Sequence, residues 1–527
     1  MSDPKTTFAN NQAARRVIAA IDVGSSSVRM CIAEVDPSGR YAPVETLRVP
    51  VCLGADTFTA GRLSSEGILA ACEALGNFRK AMKAYQVEQF QAVATSAVRE
   101  ASNCDTFVDR VASATGIRLE VLDGMDETRL AYGVLRANLR AIPDFGDSDS
   151  ILMALSSGSA KITVFHRGRI IFSEALRTGT LRLRQMLREA PRAKFVQLLD
   201  PVIDNVVASV KRRVPLEALV NFILISPDVS RLPALGAREG EAAGLKRIAR
   251  DRFEQLAQEA TALDPLELAE RYALDAVEAE TLAPALIAID TFLGATQADH
   301  LTVLDVGMLD TLLAAMAGAS LCAEADETDF VDQIASCAVG IGRKYHFDEA
   351  HSLHVSQLAM QLFDQLRSLH GLTNADGILL RTAGILHDIG MYISSRMHHK
   401  HSMYLVNHSE CFGLTRHQMD LVAVICRYHR RAMPRPQHAE YASLTREDRL
   451  RVSKLAALLR IADSLDRSHT AAVRDLRCRL AGGRLVLEAL SDEDLSLDAM
   501  ALRNKGNLFE ELYGLPVTLQ RCASLET

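Results

Sequence analysis

The chain has 527 residues, of which 48% are hydrophobic and 24% are charged, and its formal net charge is −7. This length is too great for one hydrophobic core and predicts several globular domains. The acidic balance excludes a general nucleic-acid binder, so we expect no sequence-specific nucleic-acid partner.

The chain shows no sign of secretion or membrane insertion. Its polar start lacks the apolar core of a signal peptide, and no run approaches eighteen apolar residues. Ten cysteines without a C-x-x-C pair favour reduced thiols over a disulfide frame. We therefore expect a cytoplasmic protein that does not contact a membrane.

Strands and helices alternate in residues 1–140 after a loose polar tail. Two strands joined by a Gly/Ser turn are predicted within 17–36. Further strands are predicted at 41–53, 90–96 and 118–123, and helices at 64–84, 103–115 and 127–139. The order of strands and helix starts again at residue 150, which predicts a second, similar α/β lobe over 141–320 with a cleft between the lobes.

The last third of the chain changes character. From about residue 320 the strand pattern stops, and apolar residues recur at helical spacing, which predicts a helical domain over 321–472. The remaining residues, 473–527, read as a hairpin on a Gly-Gly turn, a helix at 496–513 and a final strand. The predicted fold class is therefore α/β plus all-α, with a small α+β module at the end.

Three segments of the first lobe carry residues suited to phosphate chemistry. In the turn IDVGSSSVR, Asp22 could hold a cation, and backbone N–H groups and hydroxyls could converge on a phosphate. Arg99 follows a strand, where a guanidinium can grip phosphate. Asp126 and Glu127 stand at a predicted helix start and could supply a general base. A plain tight turn, a solvated arginine and helix capping are the respective alternatives.

At this spacing the three segments resemble the exopolyphosphatase/guanosine pentaphosphate phosphatase (Ppx/GppA) family, of the actin-like (ribonuclease H-like) superfold. The resemblance places the family's phosphate turn on Asp22, Gly24, Ser25 and Ser27, its T-x-x-x-R on Thr95 and Arg99, and its catalytic glutamate on Glu127. It implies hydrolysis of terminal phosphoanhydride bonds of polyphosphate or pppGpp with a divalent cation, and it suggests a homodimer.

The second phosphate turn of that family is altered in this chain. Ala154 stands where the family has an aspartate, and Lys161 replaces a glutamate, while Gly158 and Ser159 are retained. Losing two carboxylates and gaining an ammonium makes Mg²⁺ binding in the cleft doubtful, and Lys161 could hold an anion instead. Our hypothesis is that the cleft binds phosphate-rich ligands but is catalytically weakened.

Histidine is concentrated in the helical domain. Thirteen of the fifteen histidines lie between His346 and His469, a density that indicates a site for a divalent transition metal. Asp463 lies four residues after Leu459 on the apolar face of its helix, where a buried carboxylate must be paired or metal-bound. Pairing with Arg460 or Arg467 is the alternative to a metal.

The stretch 346–470 resembles the HD-domain metal phosphohydrolases. That resemblance implies Mn, Fe or a similar ion on the following residues: His354, His387, Asp388 and Asp463, with His401 and His429 as the additional ligands of a two-metal site. Arg430 or Arg431 could then neutralise a bound phosphate. Two further functions stay open, a non-catalytic sensor of polyphosphate or (p)ppGpp and an HD phosphohydrolase acting on nucleotides.

Overall fold

The computed structural model describes residues 16–122, 132, 135–136, 138–187, 194–226, 229, 238–239, 245–318 and 324–523. It divides into two compact units, one formed by Met1–Gly168 with Ala175–Glu327, the other by Arg169–Glu174 with Thr328–Thr527. Within the described residues, no helix combines the length and apolar character needed to cross a bilayer.

The first lobe is built on a five-stranded sheet in the order β3-β2-β1-β4-β5. Its strands are β1 (Arg16–Val23), β2 (Ser27–Val35), β3 (Tyr41–Pro50), β4 (Gln89–Ala94) and β5 (Glu120–Val121). Its helices are α1 (Leu53–Ala60), α2 (Ser65–Ala84), α3 (Ser96–Arg99) and α4 (Cys104–Thr115). Alternate residues of β1 enter two different apolar cores, because the sheet is covered on both faces. The predicted strands near 17–36 and the helices at 64–84 and 103–115 are confirmed.

The second lobe is built on a seven-stranded sheet in the order β10-β11-β12-β9-β6-β7-β8. Its strands are β6 (Ser150–Leu155), β7 (Ala160–His166), β8 (Arg169–Leu176), β9 (Asn221–Ile225), β10 (Arg238–Glu239), β11 (Leu245–Ala249) and β12 (His300–Leu304). Its helices are α5 (Thr180–Met186), α6 (Phe195–Lys211), α7 (Arg250–Ala262), α8 (Pro265–Tyr272) and α9 (Ala276–Gly294). Helix α10 (Met308–Ala317) follows β12 but packs on the sheet of the first lobe, where Leu312 and Leu313 share a core with Ile18 of β1. The antiparallel β6–β7 pair places Ala154 opposite Lys161.

Apart from the segment of β8 at Arg169–Glu174, the second unit is helical up to residue 464. Its helices are α11 (Glu324–Lys344), α12 (Glu349–Gln365), α13 (Arg367–His370), α14 (Asn374–Leu386), α15 (His398–Asn407), α16 (Arg416–Arg427), α17 (Ala439–Ala442) and α18 (Arg446–Ser464), with a 3₁₀ turn at Ile389–Tyr392. Helix α18 is buried along almost all of its last three turns, which makes it the central helix of the bundle.

The chain ends in a three-stranded sheet with two helices. These elements are β13 (Asp475–Ala481), β14 (Arg484–Leu490), α19 (Ser496–Lys505), α20 (Asn507–Tyr513) and β15 (Val517–Cys522). The hairpin and the last strand are confirmed, but the single helix predicted over 496–513 is interrupted. Buried Arg460 donates hydrogen bonds to the Lys505 carbonyl and to Asn507 Oδ1, and these bonds hold the chain at the break around Gly506.

Candidate metal centre

Four imidazoles and two carboxylates converge inside the helical bundle. They are His351 of α12, His387 and Asp388 directly after α14, His398 of α15, His429 after α16, and Asp463 of α18. We call these six residues the histidine–aspartate centre. The helices that carry them cross closely. A Cβ added to Gly384 of α14 would lie only 2.7 Å from the Cα of Ser356 of α12, so this crossing needs a glycine.

In all four histidines of the centre, Nδ1 is bound to an acceptor. His387 Nδ1 lies 2.7 Å from the Gly384 carbonyl, His429 Nδ1 2.7 Å from the Cys426 carbonyl, and His398 Nδ1 3.1 Å from the Ser395 carbonyl. Only a protonated Nδ1 can satisfy a carbonyl oxygen. In the neutral ring the proton therefore sits on Nδ1, and Nε2 presents a lone pair to the centre.

In His351 the acceptor at Nδ1 is a carboxylate instead of a backbone carbonyl. Its Nδ1 lies 2.8 Å from Asp466 Oδ2, and both side chains are buried. A carboxylate on the outer nitrogen fixes the tautomer and ring orientation and raises the basicity of Nε2. This is the arrangement that metal-binding histidines have in proteins.

The tightest group of donors is formed by Asp388, His398 and His429. Asp388 Oδ1 lies 3.3 Å from His398 Nε2 and 3.4 Å from His429 Nε2, and the two Nε2 atoms are 3.2 Å apart. Burial lowers the pKa of His398 and takes that of His429 well below its ordinary value, although Asp388 opposes both shifts. Both rings are therefore neutral at pH 7, and three lone-pair acceptors face one another.

Such a group could hold a cation between its members. A tetrahedral ion with ligand bonds of about 2.1 Å holds its donor atoms about 3.4 Å apart, close to the separations seen here. Imidazole and carboxylate donors suit Mn, Fe, Co, Ni or Zn. The residues present therefore fit a divalent transition metal.

A second group shares Asp388 with the first. His351, His387 and Asp388 offer donor atoms that all lie within 4.8 Å of one another. His387 Nε2 is 3.8 Å from Asp388 Oδ2, while His351 Nε2 is 3.9 Å from Asp463 Oδ1. His351 Nε2 and His387 Nε2 are buried and have no hydrogen-bond partner among the described residues. Buried polar atoms left in this way indicate a ligand.

Asp463 is held by a cation from the terminal module. Lys505 Nζ pairs with Asp463 Oδ2, and the two side chains are 13% and 8% exposed. Burial raises the pKa of Asp463, but the Lys505 ammonium together with His387 and His429 outweighs it, so the pKa of the carboxyl lies far below its ordinary value. Asp463 is therefore ionised at neutral pH, with Oδ1 directed to His351.

Two of the histidines proposed from the sequence lie outside both groups, and two unpredicted ones lie inside. Neither His354 nor His401 contributes to a metal-capable group among the described residues, whereas His351 and His398 do. His354 Nε2 is buried without a hydrogen-bond partner, and burial lowers its pKa. His351 precedes His354 by three residues, so both lie on one helix face and helical spacing cannot choose between them.

Beside the centre lies a second polar cluster. The rings of His398 and His399 have centroids 6.0 Å apart, and those of His399 and His429 are 6.4 Å apart. Burial, followed by the nearby guanidinium groups of Arg427 and Arg430, lowers the pKa of His399 to about 4. Positive charge therefore gathers on this side of the centre.

The phosphate turn of the first lobe is engaged in internal contacts. Asp22 Oδ2 lies 2.5 Å from Arg29 Nη2, across the β1–β2 register that pairs these residues. Ser25 Oγ lies 3.1 Å from Ser96 Oγ, and the Gly24 N–H donates to the Ser27 carbonyl. Arg99 donates to the Leu122 carbonyl at 2.5 Å. Asp126 and Glu127 lie outside the described residues.

The two phosphate turns of the lobes touch each other. Ser157 Oγ donates to Ser26 Oγ at 3.1 Å, and a Cβ on Gly158 would lie 2.3 Å from Ser96 Oγ. The Ser159 N–H and carbonyl both bond within their own turn, to Ser156. The protein groups that would surround a phosphate thus already contact one another.

Arg182 joins the lobes at the same place. Its Nε donates to the Gly158 carbonyl at 3.1 Å, its Nη2 lies 3.0 Å from both Glu100 carboxylate oxygens, and its guanidinium stacks 3.9 Å above the Phe58 ring. We call Ser26, Glu100, Ser157 and Arg182 the lobe clasp. No metal-capable group of three donors lies in this cleft among the described residues, which do not include Asp126 and Glu127.

The two α/β lobes are of the actin-like class, and a helical domain with an internal histidine–aspartate centre follows them. A family model described as the Ppx/GppA phosphatase family matches residues 31–317, and one described as Ppx/GppA phosphatase, domain III, matches residues 335–505. The chain belongs to the Ppx/GppA phosphatase family.

Individual relatives are distant. A guanosine-5'-triphosphate,3'-diphosphate pyrophosphatase of Aliivibrio fischeri (strain MJ11) is 25% identical over 456 residues, covering 84% of this chain and 86% of that protein. Exopolyphosphatase 1 of Mycobacterium leprae is 27% identical over 192 residues, or 36% of this chain and 55% of that protein. The crystal structure of an exopolyphosphatase from Cytophaga hutchinsonii has a TM-score of 0.50 at 21% identity, covering 58% of this chain and 98% of that one, which shows the shared fold.

Proposed function

We propose that this protein is a metal-dependent phosphohydrolase whose reaction takes place at the histidine–aspartate centre, in a helical domain of the HD type. The observation that carries the proposal is the convergence of Asp388 Oδ1 with the Nε2 atoms of His398 and His429 at 3.2–3.4 Å. With both rings neutral and their Nδ1 protons bound to carbonyls, a cation between these three acceptors would compensate their mutual repulsion.

The residues divide into two ligand sets that share one carboxylate. His351, His387, Asp388 and Asp463 would hold one divalent ion, and Asp388, His398 and His429 a second. Such an ion supplies a Lewis acid that polarises a phosphoryl oxygen and makes water a nucleophile near neutral pH.

The protein's own contribution is positioning. Asp388 directs Oδ1 to one set and Oδ2 to the other, so a single side chain sets the spacing of both. Asp466 and the carbonyls of Gly384, Ser395 and Cys426 hold the rings with Nε2 inward, which removes the reorganisation that a flexible site would require.

The substrate class follows from the family. Relatives are named as an exopolyphosphatase and as pyrophosphatases of guanosine 5'-triphosphate,3'-diphosphate. We propose that this chain likewise cleaves terminal phosphoanhydride bonds, in inorganic polyphosphate or pppGpp. A nucleotide substrate is the alternative, because it presents the same phosphates to the centre.

We propose that the reaction does not take place in the cleft between the two α/β lobes, which we call the front cleft. Ala154 and Lys161 face each other in the second phosphate turn, and Ser26 and Ser157 bond to each other where a phosphate would lie. The same contacts argue against a sensor that binds polyphosphate or (p)ppGpp at these turns. The expectation of a weakened but ligand-binding cleft stays a prediction, and phosphate-binding assays distinguish it from this proposal.

Phosphate release and metal content test the proposal together. We expect wild type purified without chelator to contain Mn, Fe or a similar ion and to release phosphate from polyphosphate or pppGpp. Asp388→Asn should lose the metal and lower kcat/KM by about 100-fold or more. Glu127→Ala and the control His408→Ala, whose ring lies on the exposed end of α15, should keep both.

Two outcomes would contradict the proposal. One is a metal-free protein with undiminished turnover. The other is loss of activity in Glu127→Ala while Asp388→Asn remains active, which would place the reaction in the front cleft.

A further inference from the structure

A buried arginine next to the histidine–aspartate centre has an unused donor. Arg427 is 5% exposed, and its Nε lies 3.1 Å from Glu440 Oε1. Its Nη1 is buried and has no hydrogen-bond partner among the described residues. Packing over Tyr428 and the ion pair with Glu440 account for the burial of the guanidinium plane and of Nε, but neither contact gives Nη1 a hydrogen-bond acceptor.

His399, near the start of α15, also has a buried nitrogen, Nδ1, without a hydrogen-bond partner within the described part of the chain. Its ring follows His398 of the centre directly and lies 6.4 Å, centroid to centroid, from that of His429. Arg427 precedes His429 by two residues. Two nitrogen atoms without a described hydrogen-bond partner thus flank the ligand set formed by Asp388, His398 and His429. Arg427 Nη1 is always a donor, and His399 Nδ1 is a donor when it carries the ring proton.

The charge around these donors is positive. Arg430 directly follows His429 of the ligand set, and among the described residues Glu440 is the one acid paired with Arg427, while Arg430 forms no ion pair. Guanidinium groups and ring N–H donors are the groups that bind phosphate oxygens in proteins. An anion would satisfy the donors and balance the charge at once.

We infer that Arg427, Arg430 and His399 form a binding subsite for a second phosphate group. The substrate of the centre would then be a compound with adjacent phosphates, a diphosphate or polyphosphate, rather than a phosphomonoester. The inference rests on the proposed function, since it assigns the scissile phosphate to the neighbouring histidine–aspartate centre.

Calorimetric titration of the Mn²⁺-loaded full chain with orthophosphate and with pyrophosphate, supplied as its non-hydrolysable methylene analogue, tests the subsite. Wild type should bind pyrophosphate at least tenfold more tightly than orthophosphate. Arg427→Gln and Arg430→Gln should each weaken pyrophosphate binding about tenfold, while orthophosphate binding stays within about twofold. Arg446→Gln, an exposed arginine at the start of α18, is the control and should bind both anions like wild type.

Half-buried Arg430 supplies the result if Arg427→Gln does not fold, and equal Mn content in all variants is required for the comparison. Pyrophosphate binding no tighter than orthophosphate, or unchanged in Arg430→Gln, would overturn the subsite. The titration measures binding without turnover, so absence of phosphate release would count against the proposed function alone.

Discussion

Lys505 and Asp463 show how single charges are arranged around the centre. Asp463 gives Oδ2 to Lys505 and turns Oδ1 toward His351, so its two oxygens serve different partners. Removing one member of a buried pair leaves the other charge without compensation. A divalent ion on Oδ1 could supply that compensation in place of the ammonium.

Lys505→Met should therefore lower the free energy of unfolding of the metal-free protein by about 3 kcal/mol. The loss should be smaller when the protein is saturated with Mn²⁺, because the ion then balances Asp463. Denaturant unfolding with chelator and with metal measures both values. Arg503→Met, an exposed residue of the same helix, is the control. Equal losses under the two conditions would show that Asp463 does not contact the metal.

At the scale of helices, two glycines allow the approaches that build the centre. Gly384 lets α14 cross α12 closely, and Gly390 lets the turn after Asp388 touch α15. A Cβ on Gly390 would lie 2.2 Å from the His398 carbonyl and 2.3 Å from the Ser402 nitrogen. Since His398 opens α15, this contact sets the position of its ring.

Gly390→Ala should push α15 away from the turn. We expect a loss of stability of about 1–3 kcal/mol and Mn²⁺ binding weakened about 10-fold or more, since His398 moves from its ligand position. Thermal unfolding and metal titration measure the two effects. In Gly76→Ala of α2, where a Cβ would meet nothing within 4 Å, neither should fall. Wild-type metal affinity in Gly390→Ala would contradict the role given to this contact.

At the scale of the whole molecule, the two lobes of the first unit are joined through the lobe clasp. The contacts link residues far apart in the chain, such as Ser26 with Ser157 and Glu100 with Arg182. These contacts lie at the turns where the chain's resemblance to the family had predicted a bound phosphate. The two lobes are therefore in direct side-chain contact at these turns.

Arg182→Ala should lower the free energy of unfolding of the first unit by about 2 kcal/mol, because it removes a charged hydrogen bond and a stacked guanidinium. Arg184→Ala, whose contact with half-exposed Glu280 is 3.7 Å long, should cost less than about 1 kcal/mol. Denaturant unfolding followed by a probe in this unit compares the two variants. Equal losses would mean that the clasp does not hold the lobes together.

Much of the architecture was readable from local patterns. The strands around the Asp22 turn, helix α2 and the helical character of the last third follow from apolar periodicity and Gly/Ser turns. The break at Gly506 was not readable, because it depends on hydrogen bonds from Arg460, 45 residues earlier in the chain.

For the centre, the sequence alone sets which metal-donor side chains are available: many imidazoles in one helical stretch, the His387-Asp388 pair and an acid on an apolar helix face. Only the tertiary structure decided which donors meet. His351 and His354 differ by three residues and share a helix face, so the packing of α12 against α14 and α18 selects between them. The lobe clasp is likewise a matter of contacts between distant segments, which no local spacing encodes.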